Sequence, residues 1–341
     1  MPHPDVIFGP RGQAALRQNL LYRHSLLAEA HLKTRILLLS LVIGTSSASA
    51  SSFKKLLIFG DSISDIYAGS ELSRARGLSP LPPANLYFDH HWSNGPIWSD
   101  YVASHFLLQQ SNYAVGGATL GVENSLQILG HNLGGIKQEI SRFAHNQKIS
   151  RKTLTILEGG YNNIILEVLR NITLPANLVD TMIGQTQERI KELLELEARP
   201  LIVWNLFDAT VAPIFSTPPL SSLQHSVRQV ISDYNSRLSV LIKKYNMQNR
   251  KEIIFIFDAY TAFNKTLDGL QQEGINLSSY TLTLVPSVPL GFVLTGPLDF
   301  RTAWYDTVHP GTYFWKKFSP FLNNFIEQLE LKDFQISKVA Y

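Results

Sequence analysis

The sequence predicts an α/β fold in which a parallel sheet is covered by helices on both faces. Three observations carry that expectation. From Lys54 onward, short β-rich apolar runs alternate with long helical patterns, the signature of such layering. The helical patterns place apolar residues at 3.6-residue spacing, so each has one face to bury. Hydrophobic residues make up 45% of the 341-residue chain and charged ones 17%, a balance that favours a substantial core over disorder.

In chain order, the candidate strands are Lys54 to Gly60, Ser111 to Val115, Thr153 to Gly159, Pro200 to Leu206 and Glu252 to Phe257. Five strands imply one domain, covering residues 51–341. The clearest helix runs from Ser222 to Asn246, where Leu223, Val227, Val230, Ile231, Tyr234, Leu238, Leu241, Ile242 and Tyr245 form one stripe. A second stripe, Val179, Met182, Ile183, Ile190, Leu193 and Leu194, ends before Arg199-Pro200, where proline stops a helix. Both stripes are expected to pack. Three connections are long and rich in Gly, Pro or Ser: Ser70 to Pro96, Ala209 to Leu220 and Gly274 to Pro297. Loops beyond the carboxyl ends of parallel strands build the binding crevice, so the first two are expected to rim a site. The third carries Leu282, Leu284, Val285, Val288, Leu290, Phe292 and Val293. It either lines an acyl pocket or forms a second small packing cluster.

The formal net charge is +3, but residues 1–50 hold Arg11, Arg17, Arg23, Lys33 and Arg35 against Asp5 and Glu29. Beyond them, 25 basic residues face 25 acidic ones, which leaves no basic stripe for phosphates. A nucleic-acid partner is not expected. The chain has no cysteine, which removes thiol nucleophiles, cysteine zinc sites and disulfides without fixing the compartment.

Residues 1–50 have the character of a leader. Lys33 and Arg35 precede the apolar run Ile36 to Ile43, and small residues follow to Ala48-Ser49-Ala50. That is a signal-peptide pattern with cleavage after Ala50, a buried strand being the other reading. The run is far shorter than the roughly 20 apolar residues that span a bilayer, so no stable membrane span is expected. The sequons at Asn171, Asn264 and Asn276 fit glycosylation in a secretory route, although such triplets are common by chance.

Four pieces carry chemistry. The first strand runs into Phe59-Gly60-Asp61-Ser62, placing a serine where strand yields to loop or helix. Glycine before it allows a tight turn, and amides at a following helix start would favour developing negative charge. A plain helix cap is the competing reading. Near the other end stands Trp304-Tyr305-Asp306-Thr307-Val308-His309-Pro310-Gly311. Asp306 and His309, three apart on one turn, can meet, the carboxylate holding the imidazole tautomer. In the alternative, Pro310 simply opens the last helix. The second strand continues into Gly116-Gly117 and the third into Gly160-Tyr161-Asn162-Asn163, which supply a glycine amide and an asparagine side chain as oxyanion donors. His90 and His91 beside Asp89 are expected to be packed or solvated, not metal ligands.

In this order and on these strands, the pieces resemble the SGNH hydrolase superfamily, the GDSL-type esterases and lipases, over Lys54 to Leu331. The resemblance implies a three-layer α/β/α fold with a flavodoxin-like five-stranded parallel sheet. It implies Ser62 as nucleophile and amide donor, Gly117 as second donor, Asn162 as side-chain donor, and Asp306 and His309 completing a triad. Gly116 is the alternative donor by one register. Trp92-Ser93-Asn94-Gly95-Pro96-Ile97-Trp98 is similar to the longer plant-and-microbial branch. Two residues depart from the pattern: Ile63 replaces leucine after the serine, and Asn163 stands where aspartate is usual, which puts site orientation in doubt.

The expected protein is a secreted, monomeric ester hydrolase acting on a lipid or acetylated-carbohydrate ester through an acyl-enzyme, with no metal or organic cofactor. The rival is a catalytically silent, ligand-binding member of the same fold. A nucleotide- or flavin-binding domain is disfavoured, because neither G-x-G-x-x-G after a strand nor G-x-x-x-x-G-K-[ST] is present.

Overall fold

The computed structural model describes residues 51–339, apart from 146, 172, 286–290 and 295–299. The expected leader and its cleavage point lie outside the described residues. Near-continuous apolar runs form the central strands, as buried parallel strands require. Thus β1 (Lys55–Phe59) buries all but its first residue, and no residue of β3 (Thr153–Leu157) or β4 (Leu201–Trp204) reaches the surface. With β2 (Gln109–Asn112) and β5 (Ile254–Phe257) they make one parallel sheet in the order β2-β1-β3-β4-β5. The five-stranded α/β/α expectation holds.

Helices fill the crossovers: α1 (Ala68–Ala75), α2 (Trp98–Phe106), α3 (Ile136–Phe143), α4 (Tyr161–Asn171), α5 (Leu178–Glu195), α6 (Gln224–Asn249), α7 (Ala259–Gln272) and α8 (Thr312–Val339). α8 packs on α2 and α7, while α5 packs on α3 and α6, so two sets of helices sandwich the sheet. The stripe on α6 buries Val227, Ile231, Tyr234, Leu238, Leu241 and Ile242. Its Tyr234 hydroxyl meets Thr186 of α5 at 2.9 Å, which fixes how the two helices slide.

Several boundaries differ from the sequence expectation. β2 covers Gln109–Asn112, not Ser111 to Val115. Beyond it Tyr113 N and Val115 N still donate to Ile58 O and Gly60 O, while Asn112 bends the chain, its Oδ1 accepting from Ala114 N and its Nδ2 donating to Ser64 O. The first long connection contains α1, which begins where Asp65 accepts from the backbone of Tyr67 and Gly69. The second contains 3-10 turns at Ala209–Val211, Pro213–Ser216 and Leu220–Leu223. The third forms an antiparallel pair, β6 (Leu282–Val285) with β7 (Gly291–Leu294), whereas Val288 and Leu290 lie outside the described residues. Leu282 joins a satellite core of Leu81, Tyr87, Trp92 and Tyr305. None of the described helices is long and apolar enough to cross a membrane.

Candidate active site

At the carboxyl end of β1 the chain turns over two buried acids. Gly60 N donates to Glu139 Oε2 at 2.9 Å, and Asp61 N donates to Glu158 Oε1 at 2.7 Å. Only glycine fits position 60, since a Cβ there would lie 1.9 Å from Glu158 Oε1. The turn is closed by Asp61, whose carbonyl accepts from Ser64 and Asp65 and whose Oδ1 accepts from Ile63 N at 3.2 Å. Ser62 sits on its crest, half-buried between neighbours that are fully buried. No helix starts there, contrary to one sequence expectation; α1 begins at Ala68, and the amides of Asp61, Ile63, Ser64 and Asp65 are all engaged within the turn or by Glu158.

The turn before α8 brings Asp306 and His309 together. His309 Nδ1 donates to Asp306 Oδ2 at 2.7 Å, and Tyr87 Oη donates to the same oxygen at 2.6 Å. Asp306 Oδ1 accepts from the backbone N–H of Val308 and of His309, each at 2.7 Å. A carboxylate only accepts, so this network puts the imidazole proton on Nδ1 and leaves Nε2 as a lone-pair acceptor. Burial alone would push the Asp306 carboxyl up, but the His309 charge and the converging donors hold it below its ordinary value. Pro310 does not open the helix. Its carbonyl accepts from Ser93 Oγ, and Asn94 Oδ1 accepts from Thr312 N, so the Ser93-Asn94 segment anchors the start of α8. Trp92 covers the His309 ring, with centroids 4.9 Å apart.

The two oxyanion candidates flank the serine turn. Gly116 N is engaged by Asp65 Oδ2 at 2.8 Å, whereas Gly117 N has no acceptor among the described residues, as is also true of Ser62 N. Gly117 has φ +80°, a conformation that glycine adopts without strain, and it is backed by Asn124. Asn162 Nδ2 donates to Asp61 Oδ2 at 3.1 Å and its Oδ1 accepts from Ser125 Oγ at 2.7 Å, which sets the amide beside the serine turn. Asn163 ties two elements together, accepting from Leu120 N at 2.9 Å and donating to Gln185 Oε1 of α5 at 2.8 Å. No hydrogen bond joins Ser62 to His309 in this conformation, although the His309 charge acts on neighbouring Asp61. Apo sites often tighten such bonds only with substrate.

Sequence reasoning missed Tyr87, Glu139 and Glu158, and gave Trp92 a place in a motif but no contact with His309. Glu158 ends an otherwise apolar strand and Glu139 interrupts the apolar stripe Ile136, Ile140, Phe143 of α3, which were readable signals. Burial pushes both carboxyls well above their ordinary range, and Glu139 Oε1 finds no hydrogen-bond partner among the described residues. Burial also raises Asp61, to about 6, against the Ile63 amide, the His309 charge and the Asn162 amide.

The sequence and fold are similar to those of several known proteins. The chain is 26% identical over 272 residues to the thermolabile hemolysin of Vibrio parahaemolyticus, covering 76% of this chain and 60% of that protein. It is 30% identical over 139 residues to a phosphatidylcholine-sterol acyltransferase of Aeromonas hydrophila, covering 38% and 39% of the two. The chain therefore spans about three-fifths and two-fifths of these relatives' lengths. A solved member of the lipolytic G-D-S-L family from Veillonella parvula is 15% identical, with a TM-score of 0.42, over 79% of this chain and 95% of that one. Residues 56–318, which carry the serine turn, both donor loops and the Asp306–His309 pair, match the family described as GDSL-like Lipase/Acylhydrolase, and the chain belongs to that family.

Proposed function

We propose that the protein hydrolyses carboxylic esters of lipids through a Ser62–His309–Asp306 triad and an acyl-enzyme. The observation that carries this reading is the buried Asp306–His309 pair, with the imidazole held in the tautomer a general base needs. Ser62 Oγ attacks the ester carbonyl while His309 Nε2 takes its proton; the oxyanion is met by the amides of Ser62 and Gly117 and by Asn162 Nδ2. His309 then gives the proton to the leaving alcohol, and water repeats the cycle on the acyl-enzyme. Among lipid and acetylated-carbohydrate esters, the lipid class is favoured by the sequence match to a phosphatidylcholine-sterol acyltransferase.

A catalytically silent binding protein would have no need of a fully bonded acid behind its histidine. Fluorophosphonate labelling separates the two readings: covalent labelling is expected on Ser62 and lost in Ser62→Ala, and a folded protein that stays unlabelled refutes the triad. A panel of phospholipid and acetylated-xylan substrates tests the ester class, lipid turnover being expected. The basic, apolar and small-residue succession ending at Ala50 supports export with a mature chain starting at Ser51. Amino-terminal sequencing of protein from culture medium tests this, and intact Met1 on soluble intracellular protein sinks it.

A further inference from the structure

The segment ahead of α2 reaches across the molecule to the triad. Leu86 N and Tyr87 N both donate to Pro83 O at 3.0 Å, which curls the chain so that the Tyr87 ring enters the satellite core. There it packs edge-on against Trp92, with centroids 5.6 Å apart, and against Tyr305, 5.2 Å apart. Tyr305 Oη in turn donates to Leu86 O, locking the curl from the other side. The Tyr87 hydroxyl, 3% exposed as a residue, ends 2.6 Å from Asp306 Oδ2, the oxygen that also accepts from His309 Nδ1.

We propose that Tyr87 is a positioning residue of the ester-hydrolysing site, acting on His309 through Asp306. The inference rests on the triad reading. Its first effect is geometric: with two backbone donors on Oδ1 and the phenol on Oδ2, the carboxylate plane cannot rotate, so Oδ2 always faces Nδ1. Its second effect is electrostatic. The phenol proton takes up part of the charge on Oδ2, which weakens the hold of that oxygen on a protonated imidazole and keeps His309 free to act as a base. Burial, and then the Asp306 charge, push the Tyr87 hydroxyl well above its ordinary range, so it stays a donor throughout the working pH range. The other titratable groups facing the pair are Tyr305, on the same turn as Asp306, and Asp61, across the serine turn.

The test compares kcat/KM for a short-chain aryl ester from about pH 5 to 9 in wild type, Tyr87→Phe, Tyr305→Phe and Ser62→Ala, with melting curves for each. Tyr87→Phe is expected to lower kcat/KM about tenfold and to move the acid limb about half a unit to one unit higher. Tyr305→Phe removes a neighbouring hydroxyl bonded to Leu86 O, and should lower the melting temperature while leaving the limb in place. 3-Fluorotyrosine at position 87 keeps the shape and strengthens the donor, so the limb moves lower; it reports even where Tyr87→Phe fails to fold. A limb unchanged in Tyr87→Phe or in the fluorinated protein, or moved as far by Tyr305→Phe, overturns the assignment. Turnover retained by Ser62→Ala instead marks failure of the triad reading itself.

Discussion

Asp306→Asn is the sharpest test of the triad, because the structure specifies what the amide must do. Four donors converge on the carboxylate: two backbone N–H groups on Oδ1, and His309 Nδ1 and Tyr87 Oη on Oδ2. An amide offers one acceptor oxygen. The backbone donors cannot turn, whereas a phenol rotates and an imidazole exchanges tautomers, so the amide keeps its oxygen on the backbone and presents NH₂ to His309. The ring then accepts at Nδ1 and carries its proton on Nε2, the wrong tautomer for taking the serine proton. In a trypsin-type triad the same substitution costs about 10⁴ in kcat. A base exposed in a loop would lose less, since water could reorient it, but His309 is 6% exposed over a fully buried Asp306 and that route is closed. A loss of about 10³–10⁴ in kcat is therefore expected, with little change in KM. Steady-state rates on a short-chain aryl ester, with circular dichroism as a folding check, decide the matter. A folded Asp306→Asn enzyme with wild-type rate and pH profile removes Asp306 from the mechanism and leaves at most a Ser62–His309 dyad.

Two further outcomes follow from the same geometry. Asn162→Ala should lose about 10²–10³ in kcat while binding changes much less, because the missing donor serves mainly the transition state. It should also melt earlier, since Asp61 Oδ2 and Ser125 Oγ lose their partner; turnover within twofold of wild type in a folded variant rules Asn162 out as a donor. The second outcome concerns stability against pH. Carboxyls raised by folding contribute stability that is present below their unfolded values, 4.5 for Glu139 and Glu158, and lost as pH rises through their folded values. Asp306, lowered by folding, has the opposite sign and contributes only above its unfolded value of 3.8. The melting temperature is thus expected to fall on the alkaline side, and Glu158→Gln, which cannot ionise, should flatten that fall. Parallel melting profiles for the two proteins, measured by calorimetry from about pH 5 to 9, would falsify it.

How much of the site the sequence reveals depends on how local each signal is. Ser62 is marked by the strand that ends three residues earlier, and Asp306 and His309 by their spacing on one turn. Tyr87 has no such mark. It lies 219 residues from Asp306 in a connection without periodicity, and only the tertiary fold brings its hydroxyl to the carboxylate. The strand β2 shows a similar limit, because Gln109–Asn112 is a polar edge that carries no hydrophobic pattern to mark it. Glu139 and Glu158 are intermediate cases. Each is a charge on an otherwise apolar run, and the local anomaly is visible even though the partner amide is not.

The buried acids also account for the departure at Asn163. Asp61, Asp65, Glu139 and Glu158 surround the serine turn and Asp306 backs His309, each fully or almost fully buried, and under the proposed function an oxyanion develops beside them. Every further negative charge there would raise the energy of that oxyanion and push the neighbouring carboxyls further toward their acid forms. Asn163, 7% exposed and next in sequence to the oxyanion candidate Asn162, does its structural work with a neutral amide. Its oxygen holds the Leu120 amide and its nitrogen reaches Gln185, so the donor loop at Gly117 is fixed to α5 without adding charge. An aspartate could accept from Leu120 equally well, but its charge would be spent on a bond the amide already makes. Asn163 thus fits the proposed function, its two hydrogen bonds tying the Leu120 amide to α5.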